Sequence, residues 1–344
     1  MEVESGILKN VDQVLNRRVP GCTKQQMIVV TETYLHELYR EELDHLIGQF
    51  EKSEIYYVEK SSYDQAVELA KHLCISDTKI VIGFGGGKVL DTAKYASFIA
   101  KAKYFCFPTT LSHDGIVSPI AVLNTEEDKR KSFGCEIPAG IIIDIDIVQK
   151  APKLLLQSGI GDTLSNYTAL YDWELAGDHD GNPIDDFAYM LSSMAFDTMF
   201  YSEEKQIKSK NFIRMLAQSL VISGLAMGIA GSSRPCSGSE HLFSHSLDEN
   251  YKEINITHGM AVAMGSIASC ILQKRDYHTL LDYLKDHEIS IRPSNWGITE
   301  DIYVDAWLKA ADTRKDRYTV LNEITLDPAE LKKIYRLLEY DEEI

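Results

Sequence analysis

Between residues 27 and about 110 the chain switches repeatedly between apolar runs of strand length and amphipathic patterns of helical length. This alternation is what most restricts its fold. MIVVTE (27–32), EIYYVE (54–59), KIVIGF (79–84) and YFCFP (104–108) are short runs rich in β-branched and aromatic residues. Between them, TYLHELYREELDHLIGQF (33–50), SYDQAVELAKHL (62–73) and VLDTAKYASFIAKA (89–102) repeat apolar residues at helical spacing, with Ser62 placed to cap the second. Strands that alternate with helices through short connections build a mostly parallel sheet covered by helices. IAVLN (120–124) and KSFGCE (131–136) can pair as a hairpin, and AGIIIDID (139–146) reads as a further buried strand.

After Pro152 the pattern changes. Segments 153–176, 186–202, 209–230, 238–248, 257–274 and 276–287 carry helical periodicity, and DPAELKKIYRLLEY continues it near the end. The expectation is an α/β nucleotide-binding domain over 1–151 and an all-α domain over 152–344, with GDHDGNP (177–183) as a turn-rich loop in the second. At 344 residues and 44% hydrophobic content, the chain can bury two cores.

Lys and Arg number 35 against 52 Asp and Glu, a formal charge of −17 that argues against a nucleic-acid groove. A small anionic substrate is compatible with it, since a patch such as Lys129, Arg130 and Lys131 can reverse the potential locally. The six cysteines show no CxxC spacing, MEVESGILKN has no basic-then-apolar leader, and no uninterrupted apolar stretch reaches the ~18 residues of a membrane span. These features lead us to expect a cytoplasmic protein without a membrane span. FIRMLAQSLVISGLAMGIA (212–230) is more apolar than one face of a surface helix requires, and is expected to be core.

The chemistry concentrates in a few loops. GFGGGKVLDTAK (83–94) follows a strand and opens a helix, and Gly85, Gly86 and Gly87 leave the backbone N–H groups free to close on a pyrophosphate. A tight turn would explain the same glycines. FPTTLSHDGIVSP (107–119) gathers Thr109, Thr110, Ser112, His113, Asp114 and Ser118 at the end of another strand, where ligands of open α/β sheets bind. Glu32 ends the first strand, where a carboxylate can accept hydrogen bonds from an adenosine ribose and repel a 2′-phosphate. Such a carboxylate favours NAD over NADP; a solvated charge whose sign suits the N-terminal dipole of the helix it opens would explain it equally.

In GSSRPCSGSEHLFSHSLD (231–248), His241 and His245 stand four residues apart on one helix face, and THGMAVAMG (257–265) adds His258. With Asp162 of SGIGDTLSN (158–166), His241 and His258 form a carboxylate-plus-two-imidazole set suited to a divalent ion, with positions left open for a substrate oxygen. A helix-capping aspartate and buried core histidines are the structural alternative.

The succession GGGKVLDTAK, PTTLSHDGIVSP, IIIDIDIV, GDTLSN, RPCSGSEHLFSHSLD and HGMAVA resembles the glycerol-1-phosphate dehydrogenases, over roughly residues 25 to 275. These belong to the superfamily of iron-containing alcohol dehydrogenases, glycerol dehydrogenases and dehydroquinate synthases. The resemblance implies a dehydroquinate synthase-like fold and a metal-dependent, NAD(P)-linked dehydrogenase acting on a small polyol phosphate, sn-glycerol-1-phosphate or dihydroxyacetone phosphate. It places one divalent ion, zinc first and iron or nickel as alternatives, on Asp162, His241 and His258. His245 falls beside it as a substrate or catalytic group, and Asp114 lies in the loop near the nicotinamide. Asp91, Thr109, Thr110, Ser112 and Ser118 lie along the cofactor with the three glycines. Lys131 and Arg234 are the cations that could meet a substrate phosphate, and self-association into a homo-oligomer is expected from relatives.

HGMAVA departs from the pattern, with methionine where many relatives place a glutamate or another polar residue; Met260 is not expected to be a ligand. A cyclase of the dehydroquinate synthase type would carry a glutamate at the place of Asp162 and a D-x-x-V-G-G-K stretch where this chain reads HDGIVSPIAV. A catalytically silent binding or regulatory member would show lost ligands, and none is lost.

Overall fold

The structure, a computed structural model, describes residues 1–125, 129–181 and 183–340. The chain divides into two compact units: Met1–Leu111, Gly115–Pro152 and Lys208–Ala217 form one, and Ser112–Asp114, Lys153–Ile207 and Gln218–Ile344 the other. The main division falls between Pro152 and Lys153. Two short segments depart from it: 208–217 belongs with the α/β unit, and the Ser112–Asp114 tip of the threonine loop belongs with the helical unit.

The first unit holds strands β1 (Glu2–Glu4), β2 (Gln26–Thr31), β3 (Lys52–Tyr57), β4 (Ile80–Gly85), β5 (Lys103–Pro108), β6 (Ile120–Asn124), β7 (Arg130–Gly134) and β8 (Gly140–Asp144). Six make one sheet in the order β1-β8-β5-β4-β2-β3, with every pairing parallel. β6 and β7 pair antiparallel as the expected hairpin, Leu123 opposite Lys131. Parallel strands covered on both faces read as continuous apolar runs, and Met27, Ile28, Val29 and Val30 of β2 are all fully buried.

From β2 the chain steps to β3 on one side and then to β4 on the other, so the order reverses between β2 and β4. That switch point, at the carboxyl ends of the strands, is where doubly wound sheets bind ligands. β1 was not expected, because three residues of EVE carry no apolar run; it is held by Asp144 at the end of β8, whose carboxylate accepts the Gly6 and Leu8 N–H groups at 3.0 Å. The 33–50 pattern is two helices, Thr33–Leu38 and Arg40–Gly48, broken at Tyr39. Ser62 does cap its helix, accepting the Gln65 N–H at 3.2 Å.

The second unit is helical, as its periodicity requires. Its site-bearing helices are Lys153–Leu164, Asn166–Asp180, Ser239–Asn250 and His258–Leu272, and Glu300–Thr313, which the sequence reading passed over, packs on the third of them. GDHDGNP does not begin as a loop: the helix runs to Asp180 and ends on Gly181 at φ +66°, a left-handed conformation that favours glycine, and Asn182 lies outside the described residues. Among the described residues, the helix Lys210–Ala230 is long and apolar enough to cross a membrane by length and composition, although Arg214, Gln218 and Ser219 interrupt its apolar run. Of its apolar window 61% is buried inside the protein, as a core helix requires.

A candidate metal centre and cofactor loop

Two glycines create the close helix contact on which the metal centre depends. A Cβ on Gly161 would stand 2.3 Å from the Gly259 carbonyl oxygen, and one on Gly259 would stand 1.8 Å from the Ser158 carbonyl oxygen. Only glycine at both positions lets Lys153–Leu164 and the start of His258–Leu272 touch backbone to backbone. The Ser158 hydroxyl fastens the contact, accepting the Gly259 N–H at 3.1 Å and donating to the Ser112 carbonyl at 2.9 Å. Asp162 and His258, each next to one of these glycines, are thereby brought face to face.

Asp162 is 3% exposed. Its Oδ2 accepts the Asp114 backbone N–H at 2.8 Å, while its buried Oδ1 has no hydrogen-bond partner. His258 Nε2 lies 3.5 Å from that oxygen and His241 Nε2 3.8 Å. One ligand atom from each of Asp162, His241 and His258 lies within 4.8 Å of the others. A divalent ion about 2 Å from each donor fits such a triangle.

The electrostatics ask for a cation. Burial pushes the Asp162 carboxyl well above the usual carboxylate range, and the neighbouring Asp114 charge adds to it. Burial also pushes His241 down to about 3, with Arg317 and Arg314 contributing, so its imidazole is neutral and has a lone pair to give. An orphaned carboxyl oxygen facing the Nε2 atoms of two histidines is a donor set that a divalent cation would satisfy.

Sequence reasoning missed the group that orients His241. Glu240, fully buried, takes His241 Nδ1 on Oε1 at 2.9 Å, and the same oxygen accepts the Gly238 N–H at 2.6 Å. Its Oε2 accepts the Thr168 hydroxyl at 2.8 Å. Burial raises this carboxyl to about 7, opposed by its hydrogen bonds to the Gly238 N–H and Thr168. A carboxylate on Nδ1 fixes the tautomer that leaves Nε2 for a metal. Neighbouring residues on a helix point about 100° apart, so a glutamate preceding a histidine reads as a solvated charge. Its only signal was a carboxylate among small and apolar neighbours.

His245, one turn beyond His241, has its ring centre 6.5 Å from that of His241. Burial, and then the Arg314 charge, hold it well below the ordinary histidine range. His113 approaches His258 edge-on at 6.3 Å. Met260 is buried at 2% exposure and is no part of the ligand triangle. Arg234 has committed two nitrogens to backbone, Nη1 to the Tyr318 carbonyl at 3.0 Å and Nη2 to that of Asp316 at 3.4 Å, so its place is structural.

In the first unit, Gly85–Gly87 link the end of β4 to the helix Gly87–Ala100. The Thr109 N–H donates to the Gly85 carbonyl at 2.9 Å, which joins the glycine and threonine loops at the ends of adjacent strands. A Cβ on Gly86 would meet nothing closer than the Thr110 hydroxyl at 3.8 Å. Asp91 does not face that space: its carboxylate takes the Val122 N–H at 3.2 Å and lies 3.5 Å from the buried Lys94 ammonium, so it is a structural group. Lys94 in turn donates to the Gly115 and Ile120 carbonyls at 2.5 and 2.8 Å, holding the loop that carries the buried Ser118. Glu32, at the N-terminus of Thr33–Leu38, is ion-paired with Lys88 and caps nothing with its side chain. Lys131 is exposed in the β6–β7 hairpin.

Residues 2–152 match the family described as iron-containing alcohol dehydrogenase. A glycerol-1-phosphate dehydrogenase [NAD(P)+] of Nitrosopumilus maritimus is 37% identical over 74% of this chain and 71% of its own. One of Thermofilum pendens is 33% identical over 97% and 95%. In fold, the chain is similar to the crystal structure of glycerol dehydrogenase from Schizosaccharomyces pombe, with a TM-score of 0.76 at 19% identity, covering 98% of this chain and 88% of that one.

Proposed function

Since the chain belongs to the glycerol-1-phosphate dehydrogenase family, we propose that it interconverts sn-glycerol-1-phosphate and dihydroxyacetone phosphate with NAD(P), using one divalent ion held by Asp162, His241 and His258. Zinc suits a set of one carboxylate and two imidazoles that leaves positions for substrate. The observation that supports the reading most is the buried, unpartnered Oδ1 of Asp162 with a histidine Nε2 on either side.

An ion bound there supplies Lewis-acid polarisation of the substrate's C2 oxygen. The chain's own residues do the rest. Asp114 holds Oδ2 of Asp162 through its backbone N–H and so aims Oδ1. Glu240 holds His241 in the matching tautomer. His245, kept neutral by burial and the Arg314 charge, can hydrogen-bond the substrate hydroxyl and carry its proton. The N–H groups of Gly85–Gly87 and the hydroxyls of Thr109, Thr110 and Ser118 would hold NAD(P), whose nicotinamide would supply the hydride chemistry. Glu32 accepts from the adenosine ribose and favours NAD. Lys88 beside it offsets part of the repulsion toward a 2′-phosphate, so the preference is modest. Six unpaired thiols suit a reducing cytoplasm.

The test is the zinc-loaded protein with NADH and dihydroxyacetone phosphate. One NADH is expected to be consumed per product formed, and chiral analysis should identify the 1-phosphate enantiomer. His241→Ala should lose bound metal and turnover together. Product formed without net change in NADH would indicate a cyclase. Binding of NADH without turnover would indicate a silent member.

A further inference from the structure

Lys94, on the helix that the glycine loop opens, is 1% exposed, and an ammonium that deep is tolerated only where oxygens surround it. Three do. Its Nζ donates to the Gly115 carbonyl at 2.5 Å and to the Ile120 carbonyl at 2.8 Å, and lies 3.5 Å from Asp91 Oδ1. Oδ2 of Asp91 accepts the Val122 N–H at 3.2 Å. One cation therefore clasps both ends of segment 115–120, and its counter-ion holds the strand that follows. Charge-assisted bonds of this kind are stronger than the backbone bonds that close an ordinary turn.

The residue before Gly115 has a different attachment. Asp114 donates its backbone N–H to Asp162 Oδ2 at 2.8 Å, and the Ser112 carbonyl accepts the Ser158 hydroxyl at 2.9 Å. Ser112–Asp114 groups with the helical unit and Gly115 with the α/β unit, so neighbouring residues are fastened in different units. The peptide between them has little slack, because its planarity fixes consecutive Cα atoms about 3.8 Å apart. Where Gly115 is held thus limits where the Asp114 N–H can point. That N–H occupies Oδ2 and leaves Oδ1 as the oxygen without a partner.

We propose that Lys94 is a positioning residue for the metal centre: by fixing Gly115 it keeps the Asp114 N–H on Oδ2 of Asp162, so that Oδ1 is presented to the ion. This rests on the metal reading above. Groups that orient a ligand carboxylate contribute to metal affinity although they never touch the ion. Lys94 stands one step beyond such a group and acts through the chain itself. The competing role is a cation that only neutralises Asp91 inside the α/β unit, which would affect stability and not metal affinity.

The experiment compares the wild type with Lys94→Met and Lys94→Gln, each stripped of metal and titrated with zinc against a chromophoric chelator. Thermal unfolding of the zinc-free proteins is recorded alongside, and amide hydrogen exchange is followed in peptides covering residues 112–115. Lys94→Met keeps the length of the side chain and loses the charge. In folded protein it should raise the zinc Kd about tenfold. Exchange at the Asp114 amide should speed up with it. Lys94→Gln, neutral but still able to donate, should fall between. A wild-type zinc Kd in folded Lys94→Met would overturn the inference, whatever the change in melting temperature. So would weaker zinc binding with unaltered exchange at residues 112–115. If Lys94→Met does not fold, Lys94→Gln with a wild-type zinc Kd overturns it. Zinc that binds His241→Ala as tightly as the wild type is not at the triangle, and that result removes the parent reading instead.

Discussion

A methyl group built on Gly86 of the first unit would meet nothing closer than 3.8 Å, whereas one built on Gly259 of the second would stand 1.8 Å from a backbone oxygen. The same residue type therefore serves opposite ends. At Gly86 the missing side chain keeps space open beside N–H groups at a helix start, as a loop for a phosphate needs. At Gly259 and Gly161 the missing side chains are replaced by a neighbouring helix, and this contact brings Asp162 to His258. On the proposed function, one region admits a ligand by leaving room, and the other by removing it.

Alanine substitutions should separate the two uses. Gly259→Ala is expected to have the largest effect: the added carbon falls on the Ser158 carbonyl, which as backbone cannot swing aside, so stability should fall by about 3 kcal/mol and metal content with it. Calorimetry and elemental analysis would check both. Wild-type stability would place the helices further apart than described. Glu240→Gln comes next, since it keeps the shape and loses the charge behind His241. Metal affinity should drop about 10- to 100-fold with little change in the cofactor's Kd.

Gly86→Ala should do the reverse. At φ −87° the backbone accepts alanine without strain, so stability should stay within about 1 kcal/mol. The Kd for NADH should rise by about tenfold, because the carbon enters the pyrophosphate's space. Equal affinity in the two proteins would mean the triple glycine is only a turn. The smallest effect belongs to Glu32→Ser, which should shift the NADH-to-NADPH ratio of kcat/KM by a few-fold, Lys88 already offsetting the wild-type carboxylate. A ratio left unchanged would take Glu32 out of cofactor choice.

How far the sequence could be read differs between the same two regions. The parallel sheet was legible because strands buried on both faces write themselves as apolar runs, and β1 escaped because a three-residue edge strand need not. Periodicity revealed most helices but not the breaks within them. Tyr39 splits one amphipathic pattern and Ser165 another, and neither break changes the apolar spacing. The three residues of the metal triangle stood out by type. Their support did not: Glu240 is adjacent in sequence to the histidine it holds, and the Thr168 hydroxyl that bonds it in turn comes from 72 residues away. Long-range packing decides such partners, and local pattern carries no trace of it. Asp91 shows the converse, since a residue of the right type near the right loop is engaged with Lys94 and the Val122 N–H.

The most direct measurement is an anomalous-scattering map of crystals grown with zinc, recorded on both sides of the zinc absorption edge. One peak per chain is expected, about 2 Å from Asp162 Oδ1, His241 Nε2 and His258 Nε2. A peak on other residues, or none at this triangle in zinc-saturated protein that reduces dihydroxyacetone phosphate, would contradict the account.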